Sequence, residues 1–205
     1  MSADALIQVT LALQKLLHTA LGGAGQPDDE VFIGPPLPGA AAARRASVLL
    51  FHVEPNREMR NEPRLRLAGG SDPEPRNALA LDLRYLITVF RAGVGSTSPN
   101  ELLVLGQLLA GLQAMPTIGP SVVAGQEVRL TPEPHSMEEM SRTWGLFPNA
   151  AYSTSVVYLA SPVFVDANAM ARGAPVVSRR LDSGTAAEPP DVFGTRAVAG
   201  QGGGG

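Results

Sequence analysis

The chain has 205 residues, no cysteine, 16 lysine or arginine residues against 19 aspartate or glutamate, and a formal net charge of -3. Such a length suits one domain, or one domain with a tail, and is enough to bury roughly two thirds of the unfolded surface without metal or disulfide. The missing cysteines exclude a disulfide framework, thiolate catalysis and cysteine-ligated metal centres, and the mildly acidic balance gives nucleic acid no global attraction.

Residues 4–21 place Leu6, Ile7, Leu13, Leu16, Leu17 and Leu21 near helical spacing, with Gly22-Gly23 where a left-handed C-cap is expected. This predicts an amphipathic first helix. Asp4 and Lys15 interrupt its apolar pattern, so it does not read as a secretory signal. No window approaches the roughly eighteen apolar residues of a spanning helix. We therefore expect a soluble cytoplasmic protein that leaves the cell only if a larger assembly carries it out.

Two short strands are predicted next, "VFIG" at 31–34 and "SVLLFHV" at 47–53, separated by the irregular connector "PPLPGAAAARRA". The stretch "VEPNREMRNEPRLRL", residues 53–67, then holds Arg57, Arg60, Arg64 and Arg66, interleaved with Glu54, Glu58 and Glu62. Its near balance argues against phosphate binding. Interleaved arginines suit either a solvated loop or bidentate pairing with carboxylates across a protein interface. A Gly, Pro and Asp-rich loop, 67–77, follows.

The clearest strand is "LALDLRYLITVF", 79–90, in which Leu79, Leu81, Leu83, Tyr85, Ile87 and Val89 line one apolar face. A second helix is predicted over 98–116, with Ser98 and Glu101 as a capping box, Pro99 in its first turn and Leu102, Leu105, Leu109 and Leu112 as its buried stripe. "EVRLTPEP" (127–134) reads as a short strand, and "SMEEMSRTW" (136–144) as a third helix with Ser136 and Glu139 as its capping box. The last strand spans 151–166, where Pro162 points to an edge position or to a strand running past its neighbour. Residues 167–205, rich in Gly, Ala and Pro, are expected to form a flexible tail or arm. The domain proper is then 1–166. Together these elements predict an α/β (α+β) fold, a mixed, mostly antiparallel sheet of four to five strands packed by about three helices.

No constellation reaches an enzyme signature. His18, His52 and His135 have no ligand-like spacing, so no metal site is expected, and "GGAG" at 22–25 follows a helix instead of opening one. Asp28, Asp29 and Glu30 fit a turn, and Glu138 and Glu139 fit the first turn of a helix. Ser153 and Ser155 lack a nucleophile elbow. A hydrolase would need His52 or His135 beside serine or carboxylate groups. We expect no catalytic residue and no cofactor.

Asn56, Arg60, Asn61 and Pro63, followed by Leu81, Asp82, Leu83, Tyr85, Leu86 and Thr88, resemble the hallmark of the N-terminal domain family of cap, or tail-terminator, proteins of phage-tail-like contractile injection systems. "ELLVLGQLLAGLQAMPTI" resembles that family's following helix, and "SMEEMSRTWGLFPNAAYSTSVVYLASPVFVD" its later helix and terminal strand. The resemblance covers roughly residues 5–166 and omits the connector at 35–46 and the tail. It implies a tail-terminator-like fold and a structural role: a homo-oligomeric ring of six copies on the distal end of the inner tube and sheath. Such a ring ends tube polymerisation and holds the sheath extended. The implied partners are the chain itself, the tube protein and the sheath protein, without nucleic acid or a membrane span. The arginine-rich loop then becomes the candidate interface, through Arg57, Arg60, Asn61 and Arg64. The alternative is an adaptor that joins the particle to a membrane or cargo through the C-terminal tail.

Overall fold

A computed structural model describes residues 4–37, 39, 44–59, 64–67, 73–76, 78–90, 99–123 and 125–166, with 64–67 and 73–76 described by their backbone. In chain order the elements are α1 (Ala5–Ala20), α2 (Pro27–Glu30), β1 (Val31–Ile33), β2 (Ala46–Pro55), β3 (Arg64–Leu67), β4 (Pro73–Arg76), β5 (Ala78–Val89), α3 (Pro99–Ala114), β6 (Thr117–Ile118), β7 (Val128–Glu133), α4 (Met137–Trp144) and β8 (Ser155–Asp166). Six strands form one sheet in the order β1-β2-β5-β8-β7-β6, and β3 and β4 form a separate two-stranded ribbon. Among the described strands only the β1–β2 pair is parallel. The expected mixed α/β class is therefore present, with a wider sheet. Beyond the expectation are the two residues of β6, too short to show alternation, which widen the sheet, and the separate ribbon, whose Pro73 and Pro75 disguise β4 as loop.

β5 is central because both its edges pair along most of its length, and its alternation sends Leu83, Tyr85 and Ile87 into the main core at no measurable exposure. Val9, Leu13 and Leu17 of α1 and Leu108 and Leu112 of α3 complete that core. Each fully buried side chain of this size contributes about 1.5–3 kcal/mol of transfer free energy. Tyr85 keeps a polar contact within it: Thr10 Oγ1 donates to Leu6 O over 2.8 Å, which leaves Thr10 to accept from the Tyr85 hydroxyl over 2.9 Å. Gly22, at φ +68°, ends α1 as its sequence requires.

α3 presents a different stripe from the expected one. Val104, Leu108 and Leu112 are buried, Leu105 and Leu109 flank them, and Leu102 is 57% exposed. A helix with leucine on nearly every side has no unique apolar face. The face is set by Gly111, where an added Cβ would lie 2.3 Å from Ala20 Cβ, so the glycine lets α1 and α3 approach closely. Ser98, the expected N-cap, lies outside the described residues. For α4 the capping box is present: Glu139 N donates to Ser136 Oγ, and Ser136 N donates to Glu139 Oε2.

The opposite face of the sheet carries a smaller core, in which Leu86 and Val157 meet Met140 and Trp144 of α4. Trp144 is packed in turn by Phe147 and Tyr152. Tyr152 precedes β8 instead of belonging to it. β8 lies inside the sheet, between β5 and β7, which corrects an edge position. Pro162 is accommodated by a bulge, since Leu81 pairs with Val163 and Leu83 with Ala160, leaving Ser161 and Pro162 opposite Asp82. On its other side β8 runs past its neighbour, because its last pairing with β7 is Ser161 with Arg129. The expected tail, 167–205, lies outside the described residues.

Candidate assembly interface

The arginine-rich segment leaves the sheet at the end of β2, and its first residues are fixed there. Asn56 N donates to Ala80 O, and the Asn56 side chain donates Nδ2–H to Asp82 Oδ1 over 2.8 Å. Ser161 Oγ, brought round by the β8 bulge, donates to the same carboxylate oxygen over 2.6 Å. Asn56 Oδ1 accepts from Met59 N over 2.9 Å, so one amide ties the turn that follows to β5. Hydrogen bonds to a carboxylate are stronger than neutral ones, which makes Asp82 the anchor of the segment. Arg57 sits in this turn, exposed. Arg60 and Asn61 lie outside the described residues, and Arg64 is the first residue of β3, described by its backbone. Of the four candidates, only Arg57 thus has a described side-chain environment.

Beside this anchor, on the same sheet face, lies an open cleft of about 500 Å³ lined by Phe51, His52, Glu54, Arg57, Arg84, Glu133, Pro134, His135 and Glu139. Arg84, near the middle of β5, holds it together. Its guanidinium donates Nε–H and Nη2–H to the two Glu133 oxygens over 2.7 and 3.0 Å, and Nη1–H to Glu54 Oε1 over 2.6 Å. These bonds, the Glu133 pair above all, raise the Arg84 pKa further still, and the bond from Arg84 holds the Glu54 carboxyl below the usual carboxylate range. Glu139 is lowered as well, mainly by the backbone N–H of Ser136. The arrangement links β2, β5 and β7 across β8.

This network escaped the sequence reading. The alternation that sends Leu83 and Tyr85 into the core puts Arg84 on the opposite face, but its partners stand 30 and 49 residues away, so only the strand order assembles them. The cleft does bring His52 and His135 among carboxylates, the condition set for a hydrolase. No serine or threonine lines it, and Arg84 and Ser136 hold the Glu54 and Glu139 carboxyls below the usual range, which suits structure better than proton transfer. His18 is elsewhere, at the end of α1. Among the described residues no three His, Asp or Glu side chains are placed to hold a metal, and no helix is long and apolar enough to cross a membrane.

The fold is thus a mixed sheet with α1 and α3 on one face and α4 on the other, and the arginine-rich segment leaves it beside the central strand. The chain belongs to the family described as the Pvc16 N-terminal domain, whose model matches residues 8–179. The resemblance carried by Asn56, Asp82 and the residues around them therefore holds at the level of the family. Among solved structures the fold is similar to the PVC sheath/tube terminator of an extracellular contractile injection system in its extended state, with a TM-score of 0.57 at 18% identity over 89% of this chain. It is similar also to the tube-terminating cap of the anti-feeding prophage, with a TM-score of 0.57 at 19% identity over 84% of this chain. The chain spans 65% and 59% of the lengths of those two proteins, less than two thirds of either. No curated protein matches.

Proposed function

We propose that the protein is a structural terminator of a contractile injection system, a cap that ends the inner tube and sheath. The observation that carries this reading is the shared fold with a sheath/tube terminator and a tube-terminating cap, within a family model matching residues 8–179. In this reading copies form a closed ring, with six the expected number, on the distal end of the tube. The ring contacts tube and sheath subunits, stops tube growth and holds the sheath extended. The particle is built in the cytoplasm and can be released with its cap in place, and residues 167–205 serve as an arm outside the capping domain.

The chemistry of the surface supports a binding role. Ring subunits need rigid sheets with excursions that meet neighbours, and they need no proton-transfer group. In this reading Arg57, Arg60, Asn61 and Arg64 meet such a neighbour, and Asn56 and Asp82 hold the start of their segment. The test is to delete the gene from a particle-producing strain and image the particles. The proposal expects tubes of abnormal length or sheaths that contract early; particles of normal length and extension contradict it.

A further inference from the structure

The two ends of the sheet are finished differently. Open strand edges offer unpaired N–H and C=O groups to other chains, and natural proteins blunt them. At the β7 end, β6 pairs with Val128 and Arg129, and Leu130 donates its N–H to Pro116 O. Two residues on, Pro132 turns toward the same side and has no N–H to offer. Nearby, the Gln126 side chain acts as a short piece of strand, donating to Phe164 O over 2.8 Å and accepting from Phe164 N over 2.7 Å, which closes the β8 edge.

At the β2 end Pro55 likewise has no N–H to offer on the open side, but the residues before it are left without a paired strand there. β1 pairs with Ala46–Val48 alone, and among the described residues no strand lies along Leu49–Pro55 on the side away from β5. Asn56 N–H points to β5, so alternation turns the N–H of Val53 to the open side. Val53 is 41% exposed on the core face, and Glu54 on the other face keeps 25% of its side chain exposed.

The β3–β4 ribbon is the complementary object. Among the described residues it pairs with no other strand, and a lone two-stranded ribbon is marginal in water. Pro73 and Pro75 occupy alternate positions of β4 opposite Leu67 and Leu65. Since proline cannot donate, the ladder to β3 is carried at Glu74 and Arg76, and the outer edge of β4 lacks those two donors. β3 is then the edge free to pair. Its sequence, Arg64-Leu65-Arg66-Leu67, alternates basic and apolar residues, and an added strand of that alternation matches an edge with Val53 on one face and Glu54 on the other.

We propose that β3 of one copy adds to the β2 edge of the next, so that each subunit extends its neighbour's sheet around the ring. This rests on the ring reading above and names the contact within it. A head-to-tail pairing of two different surfaces is the kind that generates closed rings.

The chain has no cysteine, so placed cysteines report the contact directly. Full-length V53C is co-expressed with L65C or with L67C, the partners carrying different affinity tags, and oxidised; cross-strand neighbours are within disulfide reach. V53C with R142C, on the exposed side of α4, is the control. Oligomer mass is measured in parallel. The expected result is a reducible band at twice the monomer mass, joining differently tagged chains, for V53C with L65C or L67C and absent from the control. Rings of unchanged mass without that band overturn the strand contact and leave the ring reading standing. A disulfide confined within single chains of a V53C/L65C double variant overturns it in favour of the ribbon folding onto its own subunit. Monomers throughout overturn both.

Discussion

Asn56 and Asp82, on neighbouring strands, share a 2.8 Å hydrogen bond whose acceptor oxygen also takes the Ser161 hydroxyl at 2.6 Å. Both residues belong to the sequence pattern that carries the family resemblance, and their contact explains why an asparagine should precede a Leu-Asp-Leu strand. Replacing Asp82 by alanine leaves two half-buried donors without their acceptor. We expect Asp82→Ala to lower stability by about 1.5–3 kcal/mol in urea denaturation, and amide exchange at Met59 to accelerate. An unchanged midpoint and unchanged exchange would show that the pair does not anchor the turn.

Arg84 is expected to be the most sensitive polar residue of the sheet. Arg84→Ala leaves Glu54 and Glu133 without their shared donor and should lower the urea midpoint, whereas Arg84→Lys keeps the charge without the forked geometry and should fall between. A double-mutant cycle of Arg84 with Glu133 separates pairing from packing. Additive losses would remove the network from the account.

Stability should also fall on the acid side. Glu54 and Glu139 have folded pKa values below the ordinary one, so their contribution is complete above about pH 4.3 and is lost as pH falls through the lowered values. Melting temperature followed from pH 7 to pH 3 should decline in the lower part of that range, less steeply in Glu139→Gln than in the parent. Equal slopes would contradict the capping-box contribution.

Two glycines of α3 predict opposite signs. At Gly106 an added Cβ meets nothing within 4 Å, so Gly106→Ala should stabilise by about 0.5–1 kcal/mol through helix propensity. At Gly111 the same change meets Ala20 Cβ at 2.3 Å, and overpacking should destabilise by about 1–3 kcal/mol. Chemical denaturation of the two variants checks both, and a stabilising Gly111→Ala would mean that α1 and α3 do not approach as described.

Charge reversal tests the interface assignment. Arg60→Glu with Arg64→Glu should abolish the ring, read as loss of the high-mass species by native mass measurement, while the circular dichroism spectrum of the subunit stays unchanged. Full assembly of the double variant would remove these arginines from the contact.

The sequence revealed period and punctuation well. The alternation of Leu79–Val89, the glycines after α1 and the Ser136–Glu139 box each predict a local structure that the fold contains, because each depends on residues within one element. Long-range pairing was beyond it. The excess residues at Phe51 and at Ser161-Pro162 shift register only relative to β5, Gln126 mimics a strand only once Phe164 lies beside it, and Arg84 finds its glutamates only through strand order. The α3 stripe is rotated from the expected one, with Leu102 exposed and Val104 and Leu108 buried, because leucine around most of the helix makes the pattern degenerate and a glycine contact with α1 selects the face.

The most direct test of the terminator reading is to locate the protein on the particle. Sheathed tubes are purified from cells expressing a tagged chain, labelled with gold against the tag and imaged. The account predicts that the protein copurifies with the tubes and that label sits at one end of each extended particle. Label along the tube length, or failure to copurify with the isolated chain remaining monomeric, would contradict it.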